Sequence, residues 1–219
     1  DDRMIDKLIG KINKIEDEDR VNEFIIFTSV DTWGEQAEYA RHGLDFNRHW
    51  DNMEKILEKC PRVNLTIMST YNALSVPNYH KLVEGVYGLK EKYGSSDRYW
   101  NSAVFLDSSY LRYPSHQTVQ VLPNKWTKNI FEQAQLADYL SIPSFEHKYI
   151  GYSDIEVQKI KRIWDWRMAS WEQKEEQVRQ QRYNFGKFFK EHDNRRATDF
   201  CKTFPELADF YNECLEIKL

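Results

Sequence analysis

The sequence predicts an α/β fold in which three parallel strands are joined by helical crossovers and followed by a helical extension. Three short, apolar, β-prone runs alternate with amphipathic helical segments over residues 1–140. The runs begin near residues 24, 63 and 102, so successive strands start 39 residues apart. A helix fits between strands at that distance, and a helical crossover makes the neighbouring strands parallel. After Pro143 the sequence becomes polar and strongly helical.

The first βα unit is preceded by a predicted helix over residues 4–15, where Ile and Leu recur at helical spacing. Residues 24–29 (FIIFTS) are predicted to be the first strand because they form a β-prone apolar run. A helix-prone segment that carries Arg41 follows this strand. Residues 44–60 are predicted to be a helix with large apolar side chains on one face, and Pro61 ends it.

The next two units repeat this order. Residues 63–70 (VNLTIMST) are predicted to be a strand, residues 77–93 a helix closed by Gly94, and residues 103–107 the third strand. A long loop over 108–123 precedes a predicted helix over 127–140. Three strands are few for a stable parallel sheet, because bare edges are a liability. The topology therefore predicts the second half of a larger α/β domain, and the start at Asp1 rather than Met agrees with a chain cut from a longer one.

We divide the chain into an α/β part over residues 1–143 and a helical extension over residues 144–219. Residues 153–192 are predicted to be strongly helical, and residues 199–217 to be a short amphipathic helix or a pair interrupted by Pro205. The extension packs either on the α/β part or on a partner chain.

Composition excludes several classes of protein. The formal net charge of −4 argues against a nucleic-acid scaffold, which usually carries a basic stripe. No apolar run approaches the roughly 20 residues that a membrane helix needs. The three cysteines are few and unevenly spaced, which favours reduced thiols and a cytoplasmic location over a disulfide framework.

Polar side chains gather where the predicted strands end. Ser29 and Asp31 follow the first strand, Thr70 and Asn72 the second, and Asp107 the third. Parallel α/β units carry their binding sites at the carboxyl ends of the strands. Hydroxyl, amide and carboxylate groups there suit a ribose or an amino-acid head group. Ser29 or Asp31 taken singly is equally well explained as a helix cap, but the set across three strands favours a binding rim.

Other chemistries lack the residues they need. Arg41 could hold a carboxylate bidentately, although a lone Arg is more often a surface ion-pair partner. Neither glycine-rich phosphate loop nor a Gly-x-Ser-x-Gly elbow occurs in the sequence. The six histidines are scattered, and nothing completes a zinc site.

Three segments of the chain resemble the radical S-adenosylmethionine (radical SAM) superfamily, most closely its members that carry a twitch domain. They are FTSVDTWGEQAEYARHGLDFNRHWDNMEKIL, VNLTIMSTYNALSVPNY and VFLDSSYLRYPSHQTVQVLP. The resemblance covers roughly residues 1–140 and is most specific in SVDTWGEQAEY and TYNALSVPN. It implies that residues 1–143 are the carboxyl-terminal half of a partial (βα)6 TIM-like barrel. The three predicted strands would then be its fourth, fifth and sixth.

The resemblance also implies roles for named residues. Ser29, Asp31 and Arg41 would contact the ribose and the carboxylate of S-adenosylmethionine. Thr70 and Asn72, at the end of the fifth strand, would face the same cofactor or the substrate. The stretch near Val121 and Leu122 would lie against the adenine, largely through its backbone.

The sequence departs from the family in one large respect. The Cys-x3-Cys-x2-Cys loop that ligates the 4Fe–4S cluster is absent from these 219 residues, as are the first three βα units. Three thiolates leave one iron open for the cofactor, and without them reductive cleavage cannot start. We therefore expect this chain alone to be inactive and its missing amino-terminal half, or a partner chain, to supply the cluster.

Two other interpretations remain open. The chain could be a catalytically inert α/β platform whose long charged helix docks a partner. It could also be a conventional barrel enzyme that processes sugars or phosphates, although no base or metal set supports this. The substrate, whether a peptide or a small molecule, cannot be predicted from the sequence because fold alone does not fix function.

Overall fold

The computed structural model describes residues 2–95, 102–141, 150–169 and 175–219. Its strands are β1 (Phe24–Ser29), β2 (Val63–Tyr71) and β3 (Val104–Tyr110). Its α-helices are α1 (Asp2–Asp17), α2 (Glu35–Ala40), α3 (Phe46–Lys59), α4 (Tyr79–Tyr93), α5 (Thr127–Tyr139), α6 (Asp154–Ala169), α7 (Glu175–Arg196), α8 (Phe200–Thr203) and α9 (Ala208–Glu216). Short 3-10 turns occupy Ser115–Gln117, Val119–Val121, Asn124–Trp126 and Pro205–Leu207.

The three strands form one parallel sheet in the order β1-β2-β3, which confirms the predicted α/β class. Phe24 pairs with Val63, so β1 and β2 begin side by side, and Val104 pairs with Leu65, so β3 begins two residues further along β2. Helices connect each strand to the next, as the spacing of the strands requires. The membership of this sheet in a larger barrel stays a prediction.

Several predicted element bounds are corrected by the structure. Strand β3 continues to Tyr110, three residues beyond its predicted end, because Ser108 and Ser109 pair with the end of β2. Arg41 lies just after α2, at its C-cap, and not within the helix as the sequence indicated. The predicted loop over 108–123 is instead the end of β3 followed by 3-10 turns.

The helical character of the carboxyl-terminal part is confirmed with different bounds. The single long segment predicted over 153–192 contains two helices, α6 and α7, with residues 170–174 outside the described part of the chain. Pro205 separates α8 from α9, as predicted. The boundary drawn between 143 and 144 also falls outside the described residues. Among the helices that the structure describes, none is long and apolar enough to cross a membrane.

The two faces of the sheet differ strongly. The side chains of Leu65 and Ile67 in β2 and of Leu106 in β3 share one face and are fully buried beneath the helices. On the opposite face Phe27 is 63% exposed and Met68 is 46% exposed, although Asn64 and Thr66 of β2 are buried there. Parallel sheets are normally covered on both faces, so this second face is unusual for the class.

The edge of the sheet at β3 is closed by a buried ion pair. Glu156 of α6 accepts a hydrogen bond from the backbone N–H of Leu106 at 2.8 Å. The same carboxylate pairs with Lys90 of α4 at 2.9 Å, and both side chains are almost completely buried. Ser153 also donates to Glu156 from its backbone and its hydroxyl. Helix α6 therefore provides a hydrogen-bond acceptor for a backbone N–H at the β3 edge. Strand β1, by contrast, pairs with β2 alone in the described sheet.

A tryptophan cluster packs the crossover between β1 and β2. The ring of Trp33 meets those of Phe46 and Trp50 edge-on, at centroid distances of 4.8 and 4.7 Å. A Cβ added to Gly85 of α4 would lie 2.3 Å from the Trp33 ring, so only glycine admits the indole here. The packing fixes the segment that follows β1, which carries the polar residues of the candidate site.

Candidate functional site

Asp31 joins the carboxyl ends of β1 and β2. Its carboxylate accepts two hydrogen bonds from Arg41, from Nε to Oδ2 at 2.8 Å and from Nη2 to Oδ1 at 3.1 Å. Oδ1 also accepts the backbone N–H of Thr70 at 2.8 Å. The Asp31 side chain is only 11% exposed, so these charge-assisted bonds are shielded from water. Asp31 and Arg41, two of the predicted cofactor residues, therefore form an ion pair, and Asp31 also bonds the backbone of a third, Thr70.

The guanidinium of Arg41 retains donors after this pairing. A guanidinium has five N–H donors, and the pair with Asp31 uses only the edge formed by Nε and Nη2. The Arg41 side chain is 38% exposed and, among the described residues, its Nη1 donates no hydrogen bond, so donors remain for a second anion. Asp31 thus orients Arg41 and leaves other N–H donors of the guanidinium for a ligand.

Asn72 shapes the loop that follows β2. Its side-chain oxygen accepts the N–H of Leu74 at 2.9 Å, and its amide nitrogen donates to the carbonyl of Thr70 at 2.9 Å. The hydroxyl of Ser75 accepts the backbone N–H of Asn72. Both the oxygen and the nitrogen of the Asn72 side-chain amide are therefore bonded to the backbone of its own loop. These bonds hold the loop in shape.

Four of the predicted site residues line one cleft of about 380 Å³, within the usual range for small-molecule sites. These four are Asp31, Arg41, Thr70 and Asn72. The remaining lining residues are Tyr39, Ala40, Leu74, Leu111, Gln117, Phe188, Phe189, His192 and Arg196. The predicted rim is thus one wall of a cleft whose opposite wall belongs to α7.

Helix α7 is fixed against the rim by Asp193. The hydroxyls of Tyr39 and Thr198 each donate to this carboxylate at 2.8 Å, and the backbone N–H of Phe200 donates at the same distance. Burial and the bond to Asp193 raise the pKa of Tyr39, so its hydroxyl stays protonated and donates. These bonds link α2, α7 and α8, and they set the width of the cleft.

His192 is a neutral side chain in this cleft. Arg196 Nη1 lies 3.0 Å from His192 Nε2, and an arginine can only donate, so Nε2 accepts and the ring proton lies on Nδ1. Burial, and after it the charge of Arg196, lowers the pKa of His192. The neutral imidazole therefore holds the Arg196 guanidinium without adding charge.

Ser29, Val121 and Leu122 are not among the residues that line this cleft. Ser29 ends β1 and pairs in register with Met68, whose side chain is on the open face of the sheet. The backbone carbonyls of Val121 and Leu122 accept hydrogen bonds from Arg182 and Arg167, at 2.8 and 3.0 Å. The backbone that the resemblance assigns to adenine is thus bonded to α6 and α7.

The thiols do not form a metal centre. Among the described residues, no group of three or more His, Cys, Asp or Glu side chains is arranged to hold a metal ion. Cys60 and Cys214 are buried and Cys201 is half-buried. Burial raises the pKa of Cys214 to about 12. The part of the chain that the structure describes therefore does not offer the ligands of a 4Fe–4S cluster.

Sequence reasoning missed the α7 wall of the cleft. Phe188, His192 and Arg196 recur every four residues, so they lie on one face of a helix. This stripe was visible in the sequence as an aromatic, a histidine and an arginine at helical spacing. Its position opposite Arg41 was not, because it depends on tertiary contacts.

A scan against protein-family models, a search of curated proteins and a search of solved structures each found no match to this chain.

Proposed function

We propose that this chain is the carboxyl-terminal part of a radical SAM enzyme and that its cleft binds S-adenosylmethionine at the ends of the strands. The observation that carries the proposal is that Asp31, Arg41, Thr70 and Asn72 line one cleft. The sequence pattern alone predicts Asp31, Thr70 and Asn72 as part of a binding rim at two different strand ends, and the family resemblance adds Arg41. Their convergence supports a common ligand.

The donors and acceptors in the cleft suit the polar groups of this cofactor. The free edge of Arg41 matches the methionine carboxylate, which planar guanidinium groups bind bidentately. Asp31 Oδ2 accepts only one described bond, so it retains a lone pair for a ribose hydroxyl. The role of Asp31 is thus double: it orients Arg41 and offers an acceptor of its own.

The open parts of the sheet agree with a larger barrel. Strand β1 pairs only with β2 in the described sheet, and Phe27 and Met68 are exposed on the uncovered face. We propose that the first three βα units pair with the free edge of β1 and enclose this face. When bound, the cluster supplies the electron that cleaves S-adenosylmethionine. The cluster ligands are absent from this chain, so no radical step is derived for it.

The cofactor assignment is tested by calorimetric titration with two nucleosides. S-adenosylhomocysteine retains the amino-acid carboxylate, whereas 5′-methylthioadenosine lacks it. We expect the first to bind at least about tenfold more tightly, because one charge-assisted contact contributes about 1.5–3 kcal/mol. Arg41→Gln should remove this preference, and Arg195→Gln, outside the cleft, should not. Equal affinities for the two nucleosides would contradict the assignment.

The family assignment is tested with the longer protein. The coding sequence upstream of Asp1 is expected to supply the Cys-x3-Cys-x2-Cys loop. The longer protein should then show an iron–sulfur chromophore and release 5′-deoxyadenosine under reduction. If the longer protein binds no cluster, the family assignment is wrong.

A catalytically inert interaction module is the alternative, and the uncovered sheet face favours it. Phe27 and Met68 offer apolar surface to a partner, and the edge of β1 offers unpaired backbone groups. A purified chain that is monomeric and stably folded, and that binds neither nucleoside, would favour this alternative over the enzyme.

A further inference from the structure

The wall that α7 contributes to the cleft carries its own recognition groups. Phe188, Phe189, His192 and Arg196 line the cleft from this helix. Their positions are held by bonds from Asp193 to α2 and α8, so the wall is not a loosely placed tail. This wall was not part of the predicted cofactor site.

Arg196 brings an uncompensated positive charge to the cleft. Its described hydrogen bond goes to the neutral ring of His192, and no carboxylate of the described residues lies within ion-pairing distance of it. Among the described residues that line the cleft, Asp31 is the only one with a carboxylate, and it already pairs with Arg41. Among the lining residues two guanidinium groups thus face one carboxylate, while the Asp193 carboxylate beside His192 is engaged by Tyr39, Thr198 and the N–H of Phe200.

The surroundings of Arg196 indicate what accompanies the anion. Phe188 is 43% exposed, so its ring is available for contact. It lies on the same helix face as Arg196, two turns away, and Leu74 and Leu111 line the same cleft. A ligand that satisfies both features has an anionic group and an apolar or aromatic body.

We propose that this wall is a binding site for a small organic anion, whose carboxylate or phosphate is held by Arg196 and whose apolar body lies against Phe188. His192 is a positioning residue, because it holds the guanidinium through Nε2. The site goes beyond the proposed function, since it requires neither the nucleoside nor a cluster. If the proposed function also holds, this anion is the molecule that reacts beside the cofactor.

The test is an NMR titration of the 219-residue chain with benzoate, phenyl phosphate and benzamide. Benzamide matches benzoate in size and lacks its charge. We expect benzoate or phenyl phosphate to shift the resonances of residues 188–196 and to bind at least about fivefold more tightly than benzamide. Binding of one anion but not the other identifies the anionic group as carboxylate or phosphate.

The variants assign the binding to Arg196. Arg196→Gln should weaken binding of the anion about fivefold to tenfold, and Arg195→Gln, which removes the neighbouring charge outside the cleft, should leave it unchanged. Arg41→Gln should weaken it less than Arg196→Gln does. Equal binding of benzamide, or a loss caused by Arg41→Gln in place of Arg196→Gln, would overturn the proposal. Titration of Arg196→Gln with S-adenosylhomocysteine separates the two ideas, because the nucleoside should still bind to it.

Discussion

Replacement of Asp31 by Asn tests whether this carboxylate holds the ends of the two strands together. The Asn oxygen can still accept the N–H of Thr70. Its amide nitrogen, however, would face the Nε donor of Arg41, where two donors oppose each other. The substitution therefore removes the Nε–Oδ2 bond at 2.8 Å and turns the Nη2–Oδ1 bond at 3.1 Å into a bond to a neutral oxygen, while it preserves the size of the side chain.

The expected loss of stability can be worked from these contacts. Hydrogen bonds to charged groups contribute about 1.5–3 kcal/mol each; one is lost and the other is weakened because its acceptor becomes neutral. Arg41 is 38% exposed, so water compensates part of its charge and the sum must be reduced. We expect Asp31→Asn to lower the free energy of unfolding by about 2 kcal/mol, which is roughly a thirtyfold change in the folding constant.

Urea unfolding followed by tryptophan fluorescence measures this loss. Asp51→Asn is the matched control, since Asp51 is exposed on α3, and it should change stability by less than about 0.5 kcal/mol. A double-mutant cycle with Arg41→Gln should give a coupling energy of about 1 kcal/mol. If Asp31→Asn is as stable as the control and the coupling is near zero, the carboxylate does not lock the strand ends and the reasoning fails.

Three further predictions concern the packing around the site. Gly85→Ala should lower the free energy of unfolding by about 1–3 kcal/mol, because its Cβ meets the Trp33 indole. Gly88→Ala, in open space on the same helix, should raise the free energy of unfolding by about 0.5–1 kcal/mol, and urea unfolding measures both changes. Lys90→Met should cost about 3–5 kcal/mol by thermal or urea unfolding. Lys90→Met combined with Glu156→Gln should recover part of the loss, since no buried charge is then left unpaired and the Gln oxygen still accepts the N–H of Leu106. Burial lowers the pKa of His49 below 6.5, so between the two pKa values the unfolded chain binds a proton that the folded chain does not. The free energy of unfolding should therefore fall as the pH drops from about 6.5 toward the lowered pKa. His49→Gln should reduce this pH dependence in urea unfolding midpoints measured between about pH 7.5 and 5.

Local sequence patterns were sufficient to predict the three parallel strands. The β-prone runs and the helical segments between them are short-range features, and their alternation leaves parallel pairing as the natural arrangement. The same logic placed Asp31 and Thr70 at neighbouring strand ends, which the hydrogen bond between them now joins. The end of β3 was missed because Ser108 and Ser109 are poor strand formers, and their pairing with β2 overrides that preference.

The sequence by itself therefore determined the three strands, their parallel direction and the polar groups at their ends, because these follow from short-range patterns and from the helical crossovers between strands. Only the tertiary structure decided that Arg41 is oriented by Asp31 and that α7 forms the opposite wall of the cleft. The bond between Tyr39 and Asp193 spans 154 residues of sequence, and no local pattern encodes such a contact. It arises because the helices must bury their apolar faces, and that packing brings Arg196 to the rim that the strand ends create.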